Sequence, residues 1–293
     1  MRNERPRVIL ALVSLYLIWG STFLAIRIAL EGIPPLLIAG VRYVIAGGVL
    51  LVYARLRGAP LPTRAEWKQS LVIGTLLVSA NACVVVAEQW VTSGVAAVAL
   101  ASIPIWVALV AGLFGKWPIG SEWIGLAIGL AGVAVLQSAG DLRASTAGAV
   151  MLVLSCATWS LGSILSARMT TPRGPMTNAT QMLMGGLVVL AVALLRGERL
   201  VSAPPVRAVA AVAYLIVFGS IIAYSAYQYL LATVRPTLAA SYAYLNPMIA
   251  LALGAAFYGE IVAPRAVFAL ALTLAGVALL ALRANGRARV AED

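Results

Sequence analysis

The segment LAGVAVL at residues 130–136 returns as LAGVALL at residues 274–280, 144 positions further along the chain. Each copy lies inside a long apolar stretch. Weak internal symmetry of this kind is typical of a chain built from repeated structural units. The sequence therefore predicts two copies of one apolar unit, and the rest of the chain can be aligned around them.

The composition indicates a membrane protein. Hydrophobic residues make up 62% of the 293 residues and charged residues 11%, whereas soluble domains carry about 25% charged residues. Cys83 and Cys156 lie inside apolar stretches and are interpreted as packing residues. Histidine, the commonest metal ligand, is missing, and no nucleotide-binding glycine loop is present. We therefore expect neither a metal nor any other cofactor.

Ten stretches are apolar over the length of about 20 residues that crosses the ~30 Å hydrocarbon core of a bilayer. They lie at 8–29, 34–56, 68–88, 93–114, 121–139, 147–168, 176–195, 208–231, 237–258 and 265–283. Proline and glycine mark the breaks between them, as at Pro34-Pro35 and Pro204-Pro205. The predicted fold class is an all-α, polytopic membrane protein of ten transmembrane helices.

The basic residues predict the orientation. With ten crossings, 14 of the 21 cations fall in loops on one side and six on the other, while Arg42 falls inside the second helix. Cytoplasmic loops carry the excess of Lys and Arg, so both termini are expected in the cytoplasm. The net charge of +11 is then explained by topology and by the lipid bilayer as a partner, and no nucleic-acid partner is expected.

Alignment of the two copies brings further residues into register. Pro104 corresponds to Pro247 at a separation of 143, and Trp19 to Trp159 at 140. We predict a first five-helix repeat at 8–139 and a second at 147–283. Because five is odd, the second repeat enters the membrane from the opposite side.

Inverted repeats of this kind have a physical consequence. They are related by a pseudo-twofold axis in the membrane plane, and a site at their interface is opened to alternate sides by two states of similar energy. Such an architecture favours transport by alternating access.

Several short motifs carry a family resemblance. They are Trp19-Gly20-Ser21 in the first helix, Arg42-Tyr43 in the second, Pro104 in the fourth, Asn246-Pro247 in the ninth and Gly259-Glu260 at its end. In this order they resemble the drug/metabolite transporter superfamily, EamA type, over almost the whole chain. The resemblance implies an exporter of amino acids or related metabolites in a bacterial-type inner membrane. It also implies a central cavity lined by helices one, three, four, six, eight and nine. Many members carry an acidic residue where the fourth helix ends, but this chain has Phe114-Gly115-Lys116.

Polar and aromatic groups within membrane helices predict the substrate site, because such groups are costly against lipid and should face a cavity or the protein interior. The predicted substrate-binding residues are Trp19, Ser21, Asn81, Trp106, Trp159, Ser163, Tyr224, Tyr227, Gln228, Tyr244 and Asn246. Tyr244 is preferred to Tyr242 because it is nearer Pro247 and the two cannot share a helix face. For Asn81, an interhelical hydrogen bond is the alternative to substrate contact.

Four further residues are predicted to serve gating or coupling. Arg42 lies about 12 Å deep, given ~1.5 Å per residue, and needs a partner. Glu88 in the same leaflet can form a fixed ion pair with it; alternatively, Arg42 binds a substrate carboxylate or Glu88 binds a coupling proton. Pro104 and Pro247 should bend their helices, for gating or simply for packing.

The polar groups also limit the substrate class. A phosphate cavity would need several Lys or Arg side chains, whereas only Arg42 is well buried. The expected partner is a small-molecule substrate, either an amino acid or another neutral or zwitterionic metabolite, and efflux of hydrophobic drugs is the alternative among transporters. The chain lacks histidine, paired buried carboxylates and a cysteine motif, which argues against an enzyme. A non-transporting scaffold stays open, and the small-residue face at Gly125 and Gly129 favours either a homodimer or internal packing.

The predicted topology can be tested with reporter fusions. We expect green fluorescent protein to fluoresce, and alkaline phosphatase to be inactive, when either is fused after residue 293. A fusion in the loop near Arg143 should behave in the opposite way. Active phosphatase at the C-terminus, together with a cytoplasmic N-terminus, would contradict the even number of crossings.

Overall fold

The computed structural model describes residues 4–91, 93–137, 145–258, 268–269 and 271–280. Over these residues the chain is all-helical, without β-strands, which confirms the all-α class. The Gly259-Glu260 motif, the end of the predicted fifth span and both ends of the predicted tenth span lie outside the described residues.

The helices are α1 (Glu4–Ala29), α2 (Pro35–Leu56), α3 (Arg64–Ala87), α4 (Ser93–Leu100), α5 (Ile103–Leu113), α6 (Gly120–Gln137), α7 (Thr146–Ser166), α8 (Pro175–Leu195), α9 (Val206–Tyr214), α10 (Ala223–Thr233), α11 (Pro236–Ala239), α12 (Tyr242–Tyr258) and α13 (Ala271–Leu280). Residues Leu215–Ile222 form a π-helix that joins α9 to α10. The amide of Ala223 donates to the carbonyl of Phe218, five residues earlier, as expected for this wider helix.

Six of the predicted spans are helices long and apolar enough to cross a membrane, namely the first three and the sixth to eighth. The eighth consists of α9, the π-helix and α10, which run on as one apolar helix, Val206–Thr233. The predicted fourth span is divided into α4 and α5, and the ninth into α11 and α12. Shorter apolar helices, α6 and α13, lie within the predicted fifth and tenth spans.

The two prolines expected to bend their helices differ in position. Pro104 lies in the first turn of α5, after a turn at Ala101-Ser102, so the expectation of a mid-helix proline is wrong there. A first-turn amide has no partner within its helix, and proline therefore fits that position at no cost in hydrogen bonds. Pro247 lies inside α12, as predicted.

Local sequence explains where the long helices begin and end. Pro35 and Pro175 stand at the first positions of α2 and α8. At the start of α3 the Thr63 hydroxyl accepts from the amide of Glu66, whose carboxylate accepts from the Thr63 amide at 2.7 Å. Gly58 follows α2 with a positive φ of 81°, a conformation that glycine adopts without strain.

Helix α2 packs closely against α8. A Cβ added to Gly47 would lie 2.6 Å from the amide nitrogen of Leu183, and one added to Gly186 would lie 2.8 Å from that of Val44. The two backbones are thus in direct contact. Small residues at such a crossing allow the dense van der Waals packing that holds helices together in lipid.

The small-residue face of α6 packs inside the protein. A Cβ on Gly125 would lie 3.1 Å from the carbonyl oxygen of Gly276, and one on Gly276 would lie 2.6 Å from the amide nitrogen of Gly129. The face therefore packs against α13. For this face the structure therefore favours internal packing over a homodimer contact.

Two neighbouring glycines of α2 offer a matched test of this packing. Gly47 faces α8, whereas a Cβ on Gly48 would meet nothing within 4 Å. Gly47→Ala should lower the midpoint of thermal unfolding in detergent, because Leu183 cannot yield without moving the backbone. Gly48→Ala should leave it unchanged or raise it, since alanine favours the helix by up to about 1 kcal/mol. Equal midpoints for the two variants would contradict the close contact.

Candidate functional site

A cavity of about 60 Å³ lies among the long helices of the fold. Its lining residues come from α1, α2, α3, α4, α5, α7 and α12: Trp19, Thr22, Phe23, Ile26, Arg42, Tyr43, Asn81, Val84, Leu100, Ile103, Ser155, Trp159, Tyr242 and Asn246. At ~10–15 Å³ for each water molecule, this space holds about four to six waters.

Four aromatic rings form a cluster at the cavity, which we call the aromatic cluster: Trp19, Trp159, Tyr227 and Tyr242. The two indoles meet edge to face with their centroids 5.3 Å apart. Tyr242 packs 4.6 Å from Trp19, and Tyr227 packs 5.2 Å from Trp159. The Trp19 indole N–H donates to the carbonyl of Gly219 in the π-helix at 3.0 Å. Edge-to-face packing of this kind adds to the burial of area and gives the cluster a defined geometry.

Arg42 is 1% exposed and borders the same cavity. Its Nε donates to Ser220 Oγ at 2.9 Å, its Nη2 donates to the Tyr43 hydroxyl at 3.3 Å, and its Nη1 has no hydrogen-bond partner within the protein. The guanidinium carbon also lies 4.6 Å from the centroid of the Tyr43 ring. A Cβ on Gly219 would lie 3.3 Å from Nη2, so a glycine in the π-helix makes room for the cation.

The expected ion pair between Arg42 and Glu88 is not formed. The Arg42 side chain is directed towards Ser220 of the π-helix, whereas Glu88 caps the C-terminal end of α3. Both carboxylate oxygens of Glu88 are buried without a hydrogen-bond partner, and Arg27 lies within electrostatic range. Arg42 is therefore held by neutral groups, and no carboxylate of a described residue lies within salt-bridge distance of it.

The predicted face of Tyr224, Tyr227 and Gln228 is present, but it forms a hydrogen-bonded network beside the cavity. The Tyr224 hydroxyl and the Gln228 amide both donate to Gln181 Oε1, at 3.0 and 2.8 Å. The Tyr227 hydroxyl donates to Ser163 Oγ at 2.7 Å. Gln181, which is fully buried, was missed by the sequence analysis, although a glutamine within a predicted apolar span was visible in the sequence.

Tyr242, and not Tyr244, reaches the cavity. The Tyr244 hydroxyl donates to the carbonyl of Leu126 in α6 at 3.0 Å, and its ring packs where Gly129 leaves space. Tyr244 therefore does not line this cavity, and its role in substrate binding stays a prediction. Nearness to Pro247 did not indicate the direction of the side chain, which depends on the turn between α11 and α12.

The other predicted residues fall into two groups. Asn81 and Asn246 border the cavity, and the Oδ1 atom of each is buried without a hydrogen-bond partner. Ser21 instead shares a hydrogen bond with the Tyr214 hydroxyl at 2.6 Å, and Trp106 packs on the main hydrophobic core. The sequence analysis missed Thr22, Tyr43 and Ser155, which are cavity-lining groups.

Polar contacts link the two halves of the chain at one end of the helices. Arg235, after α10, pairs with Glu122 at the start of α6, with Nη2 and Oε2 2.8 Å apart. The Thr237 hydroxyl and the amide of Ile119 also donate to this carboxylate, which is 1% exposed. At the same end Arg168, after α7, donates to the carbonyl of Phe114.

A second set of contacts links the halves at the opposite end. Arg207, at the start of α9, pairs with Glu31 after α1 at 2.5 Å, with both side chains exposed. Glu198, after α8, accepts from the amides of Leu36 and Leu37 at 3.0 Å each. A carboxylate at a helix N-terminus is stabilised by the amides it meets there. Contacts between the two halves of the chain are thus present at both ends of the helices.

The chain matches one protein-family model and is similar to several known proteins. The model of the EamA-like transporter family matches residues 6–137 and again residues 146–282. The uncharacterized inner membrane transporter YedA of Escherichia coli (strain K12) is 42% identical over 274 residues, covering 93% of this chain and 90% of the relative. A protein of Streptantibioticus cattleyicolor named "Probable terminal-alkyne amino-acid exporter" is 26% identical over 287 residues, covering 97% of both.

A solved crystal structure matches with a TM-score of 0.77 and 21% identity, over 94% of this chain and 97% of the matched chain. At that identity the match supports the fold alone. The family matches cover almost the whole chain, and the YedA relative is similar over nearly all of its own length. The chain is a membrane transporter that belongs to the EamA-like transporter family of the drug/metabolite transporter superfamily.

Proposed function

We propose that this transporter exports amino acids or related small metabolites by alternating access through the cavity. The proposed architecture is ten transmembrane helices in two inverted repeats, 8–139 and 147–283. The observation that carries the proposal is the contact between Trp19 and Trp159 at the cavity. These residues correspond in the two repeats, and a pseudo-twofold axis between the repeats would pass close to where they meet.

The pairing of helices supports the inverted repeat. In the proposed architecture α1 corresponds to α7, and α3 corresponds to the helix formed by α9 and α10. α3 packs on α7, while α1 packs on α9 and α10. Exchange of the two repeats turns the first pair into the second, as pseudo-twofold symmetry requires. The two separate matches to the family model have nearly the same bounds as the proposed repeats.

The charges support an orientation with both termini in the cytoplasm of a bacterial-type cell, within the inner membrane. In that orientation the Arg235–Glu122 pair closes the cytoplasmic end and the Arg207–Glu31 pair lies at the outer end. Contacts between the two halves are present at both ends of the helices. Export then requires the contacts at the two ends to open in turn.

The cavity lining supports a substrate that is neither phosphorylated nor strongly charged. Aromatic rings, two asparagines and one arginine line the cavity, and these groups match a small molecule with an apolar part and a few polar atoms. The relative named as an amino-acid exporter adds weight to amino acids. The apolar residues Phe23, Val84 and Ile103 also line the cavity, which favours hydrophobic-drug efflux as the second candidate.

A flux assay with two tryptophan variants tests the substrate site. We expect proteoliposomes of the wild type to show saturable counterflow of labelled amino acids, and Trp159→Ala to reduce it at least about tenfold, because a central buried tryptophan carries much binding energy. Trp123→Ala is the matched control, since Trp123 is 39% exposed on α6 and should leave the flux unchanged. Efflux of ethidium without flux of any amino acid would favour the drug exporter.

The ion pairs at the two ends offer a test of alternating access. In a background with Cys83 and Cys156 replaced by alanine, a cysteine at Ser155 reports access to the cavity. Arg235→Gln leaves the buried Glu122 carboxylate without its cation, a loss of about 3–5 kcal/mol for such pairs. It should therefore raise labelling of the cysteine by an impermeant maleimide from the cytoplasmic side.

The exposed Arg207–Glu31 pair provides the control for this labelling experiment. Surface ion pairs contribute about 0–1 kcal/mol, and Arg207 and Glu31 are 71% and 38% exposed. Arg207→Gln should therefore leave labelling from either side almost unchanged. Equal labelling of the Arg235→Gln and Arg207→Gln variants from the cytoplasmic side would show that the Arg235–Glu122 pair does not close that end.

A further inference from the structure

Arg42 is a buried cation whose hydrogen bonds inside the protein are incomplete. Its Nη1 has no partner, and the groups that it does contact, Ser220 and the Tyr43 hydroxyl, are neutral. A buried charge is costly unless an opposite charge and further hydrogen bonds compensate for it. Because Arg42 borders the cavity, an anion bound there would supply both.

The same cavity presents two oxygen acceptors that also lack partners. They are the Oδ1 atoms of Asn81 on α3 and Asn246 on α12. Asn246 is 3% exposed, so its amide is held away from solvent. Buried carbonyl oxygens normally find a donor, and a ligand ammonium, with three N–H donors, would satisfy both asparagines.

We propose that the cavity is a zwitterion site, in which Arg42 binds an α-carboxylate and the side-chain oxygens of Asn81 and Asn246 accept from an α-ammonium. Planar guanidinium and carboxylate groups pair through two parallel hydrogen bonds. The Nη1 atom of Arg42, which has no partner within the protein, is available for such a pair. The aromatic cluster and the apolar wall at Ile103 then surround the substrate side chain. This inference rests on the proposed function and specifies the substrate class as free α-amino acids.

The π-helix has a specific part in this site. It supplies Ser220, which fixes the Nε of Arg42, and Gly219, whose missing side chain admits the guanidinium and whose carbonyl holds the Trp19 indole. With Nε fixed and Nη2 on the Tyr43 hydroxyl, the guanidinium is oriented before the ligand binds. Such pre-organisation reduces the entropy lost on binding.

Competition in the flux assay tests the carboxylate and the ammonium separately. The probe is whichever of the twenty labelled amino acids gives the largest counterflow into wild-type proteoliposomes. Its amide lacks the carboxylate, and its deaminated acid lacks the ammonium. If leucine is the probe, these are leucinamide and 4-methylpentanoate; if another amino acid gives the larger flux, that amino acid, its amide and its deaminated acid replace the three leucine compounds throughout. Each should compete at least about tenfold more weakly than the parent amino acid, as expected when one hydrogen-bonded charge is removed.

Variants connect this selectivity to the named residues. Arg42→Gln should lose the preference for leucine over leucinamide, and Arg42→Lys, which keeps the charge, should retain part of it. Asn81→Asp places a carboxylate beside the proposed ammonium position. It should improve competition by the cationic leucinamide, and a gain of this kind cannot result from misfolding.

The outcomes separate the two proposals. Amino-acid flux that leucinamide inhibits as well as leucine does would overturn the zwitterion site and leave amino-acid export standing. An Asn81→Asp variant without improved competition by leucinamide would overturn the role of that asparagine. Failure of every amino acid, with flux of another solute, would overturn the substrate class in both proposals.

Discussion

Where α2 crosses α8, neither Gly47 nor Gly186 has room for a single further carbon atom, because the facing backbone already lies at van der Waals contact. Apolar side chains gain nothing by leaving lipid for a protein interior, so helices in a bilayer associate through close packing and polar contacts. The α2 and α8 helices belong to opposite halves of the chain. Their contact therefore contributes to how the halves meet and to the position of Arg42, which lies five residues before Gly47 on α2.

The position of Arg42 explains much of the surrounding structure. A cation that is 1% exposed needs compensation, and the π-helix provides part of it through Ser220 while leaving space at Gly219. The same segment holds the Trp19 indole. One irregular stretch of helix thus positions both the charge and an aromatic wall of the cavity. Irregular backbone is tolerated at this depth only when it is buried in protein or lines a cavity.

Apolar length and repeat spacing were enough to predict the long helices, because the sequence shows both properties directly. The transporter family was predicted from the resemblance carried by the short motifs and their order. The aromatic cluster was partly predictable as well, since Trp19 and Trp159 lie too deep to be interfacial anchors. The hydrogen-bond partners of Arg42, by contrast, were not predictable from the sequence. They depend on which way a long side chain turns and on a π-helix that hydrophobic periodicity does not reveal. The position of Tyr244 away from the cavity was not predictable for a related reason, because a turn before Tyr242 changes the direction of every side chain that follows.

The π-helix also sets the phase of the helix that continues from it. In an α-helix each residue turns the chain by roughly 100°, so the wider turns at Leu215–Ile222 change the direction in which all later side chains point. Tyr224 and Tyr227 face the aromatic rings, and Gln228 faces Gln181, only with this phase. Loss of one residue from the segment would leave an ordinary apolar helix of almost the same length. It would nevertheless rotate these three side chains away from their partners, so a one-residue difference here between relatives marks a different pocket and not a neutral change of length.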